Sequence, residues 1–407
     1  SRISYGDITA LRSDSNSSST TINGKIFAAD SIDINDGRNV IIGANADIVS
    51  GFNENGFAKT TAADFQMSDI VNDSGIIDSQ YMSESSNGIK IVASNINSTG
   101  NNGLIQSAGD ISMDMNAVGS VTIGSQVVAG GDVNIGQNSS SATEAVSNIN
   151  INNNITAGGD VNLTSLSSIN QAEGTQLNAN SLNASSLEMT VNGNITTRNG
   201  ITLNPGNLGS TFTQGDNSVI RNTDSGNIQI RASRSETNTI INSAEGGNIE
   251  LTGSFNLKDT IKTEHGNISV NALGDVVQAD DSFNAFESAG NFDLSADNVV
   301  GTDDQSLNVD VSGNVNISGN GTSDIYLASK DSDLNITSVS DANNLNIDAS
   351  KAVNVSRDIT AYNSVNINAQ EGFNQADSST IYNTGAGGVN ITNSGSGDVQ
   401  ISNIDSQ

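Results

Sequence analysis

Gly131-Asp132-Val133-Asn134-Ile135 and, 28 residues on, Gly159-Asp160-Val161-Asn162-Leu163 repeat one pattern. Glycine tolerates positive φ and Asp hydrogen-bonds its own backbone, so the first two residues make a turn. The alternation that follows puts two apolar side chains on one face and Asn on the other, which is a short β-strand. Gly-[Asp/Asn]-apolar-x-apolar begins nine times, at Gly109, Gly131, Gly159, Gly226, Gly247, Gly266, Gly290, Gly313 and Gly397. A single match says little, but nine in one chain are a repeat.

Working outward, further apolar triplets lack the Gly-led turn: Ile32-x-Ile34, Ile89-x-Ile91, Val121-x-Ile123, Ile149-x-Ile151 and Ile201-x-Leu203, then Leu345-x-Ile347 and Val365-x-Ile367. Each is too short to stand alone and must draw stability from its neighbours. A longer frame lies behind them. Gln214, Gln278 and Gln375 each follow an apolar residue by two positions, precede Asp by two and Ser by four, and reach Gly226, Gly290 and Gly387 at +12. Gln171 opens another copy, and Gln106 a looser one. Strand openings at Gly226, Gly247, Gly266 and Gly290 are 21, 19 and 24 residues apart. Self-similarity near twenty residues denotes a solenoid.

The spacing predicts an all-β fold, a right-handed parallel β-helix (β-solenoid), an elongated rod with about 20 residues per coil. Leucine-rich, ankyrin and tetratricopeptide arrays are excluded because no helical period persists. At about 4.8 Å per coil, roughly 19 coils would give a rod near 90 Å. Residues 1–85 read as less regular N-terminal coils with loop excursions, at 11–20 and at 51–85, where Ala58–Phe65 reads as a short helix or an extruded loop, and 86–407 as regular repeats of one continuous solenoid. Asn and Ser at equivalent turns should stack into side-chain ladders. Phe65, Phe212, Phe283, Phe286, Phe292 and Phe373 are expected as interior stacks or loop plugs.

Composition fits a narrow core. The chain has 407 residues, 34% hydrophobic and 4% aromatic, with 41 Gly and a single Pro, Pro205. Proline cannot donate to a ladder paired on both sides. No Cys excludes disulfides and thiolate chemistry, and one His excludes most zinc and Ser-His-Asp sites. Fifteen basic against 45 acidic residues, a net charge of -30, argue against nucleic acid and anionic lipid as partners. No stretch is apolar over a membrane-spanning length. Ser1-Arg2-Ile3-Ser4 is not a signal peptide, so a processed product or an excised segment is expected.

With Gly131–Ile135, Gly159–Leu163, Ser168-Ile169-Asn170-Gln171-Ala172-Glu173-Gly174-Thr175-Gln176-Leu177-Asn178-Ala179 and the Gln-to-Gly frame, the chain resembles the filamentous-haemagglutinin-like adhesins, large exoproteins of two-partner secretion. The resemblance covers about 86–407. It implies a parallel β-helix, an outer-membrane secretion partner, and a secreted or cell-surface role in attachment. The family's Asn-Pro-Asn-Gly-type secretion motif is matched only faintly, by Asn204-Pro205-Gly206-Asn207 in mid-chain. Heparin-like binding does not carry over to so acidic a chain.

The expected function is a non-enzymatic adhesin shaft presenting itself to a surface receptor or glycan. The alternatives are a subunit of an extracellular filament, joined by end-to-end self-association, and a β-helical polysaccharide lyase or hydrolase. The last needs clustered carboxylates with a basic partner. Asp303-Asp304, Asp331-x-Asp333, Arg231, Arg234, Lys258, Lys262 and His265 are its raw material, more simply read as solvated turns. Structural calcium is the only cofactor considered. The nonapeptide Gly-Gly-x-Gly-x-Asp-x-apolar-x is absent, and Gly130-Gly131-Asp132-Val133 and Gly158-Gly159-Asp160-Val161 only touch it. Sequons such as Asn97-x-Thr99 follow from Asn and Ser richness. No catalytic, cofactor-binding or metal-ligating residue is assigned.

Overall fold

The computed structural model describes residues 2–4, 8–13, 19–28, 31–36, 38–50, 88–137, 144–204 and 209–406. Every element among them is a β-strand. The chain winds as a parallel β-solenoid of about 15 turns with about 22 residues each. Those turns are counted over the described residues, the expected 19 over the whole chain, and each coil is slightly longer than the expected 20 residues. By contacts the chain falls into two compact units, Ser1–Gly206 and Asn207–Gln407.

In the first unit each coil lays down three strands. Val161–Thr164, Ser168–Gln171 and Gln176–Ala179 are followed by Leu182–Ser185, Glu188–Val191 and Asn194–Thr197, and each strand pairs in parallel with its counterpart three elements on. The apolar triplets stack in register: Ile89, Ile111, Val133, Val161, Leu182 and Ile201 form one column. All are almost completely buried. Such a stack buries both apolar members of every triplet at about 25 cal/mol per Å², which is how a modest apolar content sustains a core.

The reading of 11–20 as an excursion is corrected in part. Leu11, Arg12 and Ser13 belong to the strand Ile8–Ser13, which pairs with Ile32–Asp36, and Ser19–Ile22 pairs with Asn39–Ile42. Residues 51–85, with Phe65, lie outside the described residues, as do Pro205, Gly206 and Asn207.

In the second unit the triplets fuse. Ile228–Thr237, Ile249–Leu257 and Ile268–Gln278 each run through two faces as one strand, with register shifts at the corner. Gly253, at φ 137°, makes that corner: a Cβ there would sit 1.6 Å from the carbonyl oxygen of Ala232. Leu345-x-Ile347 and Val365-x-Ile367 likewise sit inside Leu334–Ala349 and Ile359–Ala369. Phe212, Phe286, Phe292 and Phe373 are buried as expected, the rings of Phe286 and Phe292 5.2 Å apart, while Phe283 is only half-buried.

One triplet departs. Val399 and Ile401 are 46% and 48% exposed, and the strand shrinks to Val399–Gln400. Val399 stacks on Phe373 below it, and no described coil covers it from above.

Candidate functional site

The two sequence motifs turn out to build the scaffold. In seven of the nine Gly-[Asp/Asn] turns the side-chain oxygen accepts a main-chain N–H from the equivalent turn one coil on. Asp110 accepts from Asp132 and Asp132 from Asp160, both at 2.8 Å. In the second unit Asn227 accepts from Asn248, Asn248 from Asn267, Asn267 from Asn291 and Asn291 from Asn314, at 2.7–3.0 Å. The glycine makes room: a Cβ on Gly131 or Gly159 would fall about 2 Å from the carboxylate beneath. Burial, opposed by the bond from Asp160, pushes the Asp132 carboxyl above its ordinary range, and the charges of Asp110 and Asp160 add to the push.

The frame glutamines point inward and tie coils together. Gln278 donates to the carbonyls of Asp280 and Phe283 and accepts the N–H of Asn308. Gln375 donates to Ser379 and Asn403 and accepts from Ser402. Gln171 donates to Asn194. Each is at least 96% buried. A buried amide is tolerated when bonded, and these satisfy turn groups that the ladders leave over.

The candidate catalytic residues do not converge. Asp303 and Asp304 are exposed in a bend, and Arg231 and Arg234 are exposed on one strand. Lys258 reaches Glu236 at 2.9 Å, and His265 is an exposed turn residue. Asp331 accepts from Asn284, and Asp333 from the N–H of Ala352. Among the described residues no group of three or more His, Cys, Asp or Glu could hold a metal ion. No described helix is long and apolar enough to cross a membrane. Glu287 and Asp310 do occupy one outward row with Lys262, in a depression of about 320 Å³. There Lys262 ion-pairs with Glu287 at 3.1 Å.

A second depression, of about 260 Å³, lies on the outward face of Ile268–Gln278, Phe292–Ala296, Asn314–Ser318 and Leu334–Ala349. Register aligns Ser269, Asp293, Asn316 and Ser338 in one row, and Asn271, Ser295, Ser318 and Ser340 in the next. Along the first row Asn316 donates to Asp293 at 2.7 Å and Ser338 to Asn316 at 3.4 Å. The rows repeat at about 4.8 Å along the coils and lie roughly 6.6 Å apart across them.

The second row leads into Asp341, which follows Ser340 and is the only non-glycine residue at positive φ among those described, at 56°. Its carboxylate accepts the phenol of Tyr362 at 3.0 Å, and that bond holds the phenol above its ordinary range. Tyr362 is 46% exposed, and its ring approaches Gly321, where a Cβ would lie 3.2 Å from it. This groove was missed in sequence because outward Ser, Asn and Asp occur on every coil.

No family model, curated protein or solved structure matches the chain. The fold and the groove stand on their own geometry.

Proposed function

We propose that this chain is the shaft of a secreted or surface-exposed bacterial adhesin, acting by attachment rather than catalysis. The observation that supports the reading is the outward lattice of the second unit: polar side chains in register over four consecutive coils, held by one another and by a laddered backbone. Such a surface offers many weak, repeated contacts, and attachment then comes from their sum. The family resemblance adds export through an outer-membrane partner. The test coats beads with the purified chain and counts those retained on bacterial, host and abiotic surfaces under flow. Retention above a bovine serum albumin coat, without release of sugar from the surface, is expected; retention at the control level on all three would sink the reading.

A filament subunit is the second reading. Val399, Ile401 and Ile404 stand 42–48% exposed above Phe373 and Ile381, and such an open edge accepts a further coil, whichever chain supplies it. Regular fibres in electron micrographs of the purified chain would favour it over the shaft.

A further inference from the structure

We infer that the groove between Ser269 and Ser340 binds an uncharged β-linked polysaccharide, laid along the coil direction with Tyr362 as a stacking platform beyond its end. This deepens the attachment reading and rests on it.

Three observations carry the inference. The first is spacing. Hydroxyl, amide and carboxylate groups recur in two rows at about 4.8 Å, close to the advance per sugar of an extended pyranose chain. Successive sugars therefore meet polar groups on successive coils, and in a β-1,4-linked chain, where each sugar is turned over relative to the last, alternate sugars present the same edge. Ser269, Ser295, Ser318 and Ser340 supply hydroxyls that donate or accept, and Asp293 an acceptor suited to sugar hydroxyls.

The second is charge. No Lys or Arg lines the groove, and its one ionisable group is Asp293. An acidic glycan would face that carboxylate unpaired within a chain of net charge -30. An uncharged chain meets no such cost.

The third is the aromatic residue. Trp is absent and tyrosines number five; Tyr362 is 46% exposed, against 37% for Tyr382. Its hydroxyl is fixed by Asp341 at the end of the second row, so the ring is oriented before any ligand arrives. Aromatic faces take the C–H face of a pyranose much as they take other apolar edges, and a preset ring loses little freedom on binding. A peptide fits less well. The backbone of the four groove strands is already paired with neighbouring coils on both sides, leaving no edge for strand addition.

The test titrates the full chain with cellohexaose by calorimetry, with hexamannuronate, also β-1,4-linked, as the charged counterpart. Ser295→Trp fills an exposed position in the middle of the second row, and Tyr362→Ala removes the platform; unchanged melting temperatures show that both variants fold. Expected are binding of cellohexaose, no binding of hexamannuronate, and at least ten-fold weakening in each variant. The inference is overturned if wild type does not bind cellohexaose, if hexamannuronate binds as well, or if both variants bind like wild type. Bead attachment separates the two readings. Retention that persists while cellohexaose fails to bind defeats the groove alone. Cellohexaose binding without retention on any surface leaves the groove standing and defeats the shaft.

Discussion

Gln214 and Asn238, on successive coils, are joined by two hydrogen bonds, both donated by Asn238. The side-chain oxygen of Gln214 accepts the main-chain N–H of Asn238 at 3.0 Å, and the Asn238 amide donates to the main-chain carbonyl of Gln214 at 2.9 Å. The Gln214 amide nitrogen also reaches the carbonyls of Ser218 and Thr239, both at 3.0 Å. One buried side chain thus closes its own turn and clamps the coil above.

Gln214→Met keeps the length and removes three of these bonds, leaving buried main-chain groups unsatisfied. We expect a loss of about 3 kcal/mol. A solenoid loses stability locally. The measurement is therefore hydrogen exchange, which should quicken first at Asn238, whose main-chain N–H loses its acceptor. Unchanged protection at that amide would show that the clamp contributes nothing.

The Asp110–Asp132–Asp160 ladder has an Asn counterpart in the second unit, which suggests a clean substitution. Asp132→Asn retains an oxygen to accept the Asp160 N–H and removes the charge. Burial raises the folded-state carboxyl of Asp132 above its ordinary 3.8, so its favourable contribution is full below pH 3.8 and lost as pH rises through the folded value. The variant should therefore melt higher than wild type at pH 7, and the gap should close as pH falls below 3.8. A gap that widens in acid would contradict the sign.

Gly290→Ala places a Cβ 2.3 Å from the side-chain oxygen of Asn267 and 2.7 Å from the Gly266 carbonyl. The Asn267 oxygen is the one that accepts the N–H of Asn291, so the ladder must open to admit the methyl group. A cost of about 2 kcal/mol is expected, read as a lower denaturation midpoint. Gly246→Ala is the control. Nothing lies within 4 Å of its added Cβ, so it reports only the strain of φ 67°.

Thr237 is fully buried, stacked under Leu257, and its hydroxyl has no hydrogen-bond partner. Thr237→Val fills the same volume without the desolvated hydroxyl and should stabilise by about 1 kcal/mol. A calorimetric melt that falls would indicate a partner for the hydroxyl. Ser235 is the parallel case: buried, its hydroxyl unpartnered, and in register between Phe212 and Phe255. Its small side chain sits between two large rings, and Ser235→Leu should destabilise by overpacking.

Much of the fold was legible because a period of two and a repeat near twenty are properties of the chain itself. The turn openings at Gly226, Gly247, Gly266 and Gly290 precede Ile228, Ile249, Ile268 and Phe292, which stack in register. The fused strands were not legible. In Ile228–Thr237 the alternation breaks at the corner between Ala232 and Ser235, inward positions three apart and too small to register as an apolar pattern. Val399-x-Ile401 failed the other way: its pattern matches the buried triplets, yet burial depends on a coil above as well as below.

The sequence by itself determined the rung. Gly-[Asp/Asn]-apolar-x-apolar specifies a turn and a two-residue apolar face through interactions that span five residues. Only the tertiary structure decided what the other positions do. The bonds of Gln214 with Asn238 and Thr239, the rise in Asp132 and the rows beside Asp293 all join residues about twenty or more apart in the chain, and stacking alone sets their distance and exclusion from water. Tyr362 illustrates the limit: alternation with the inward Ala361 puts it on the outer face, but its meeting with Asp341 exists only because successive coils lie one strand spacing apart.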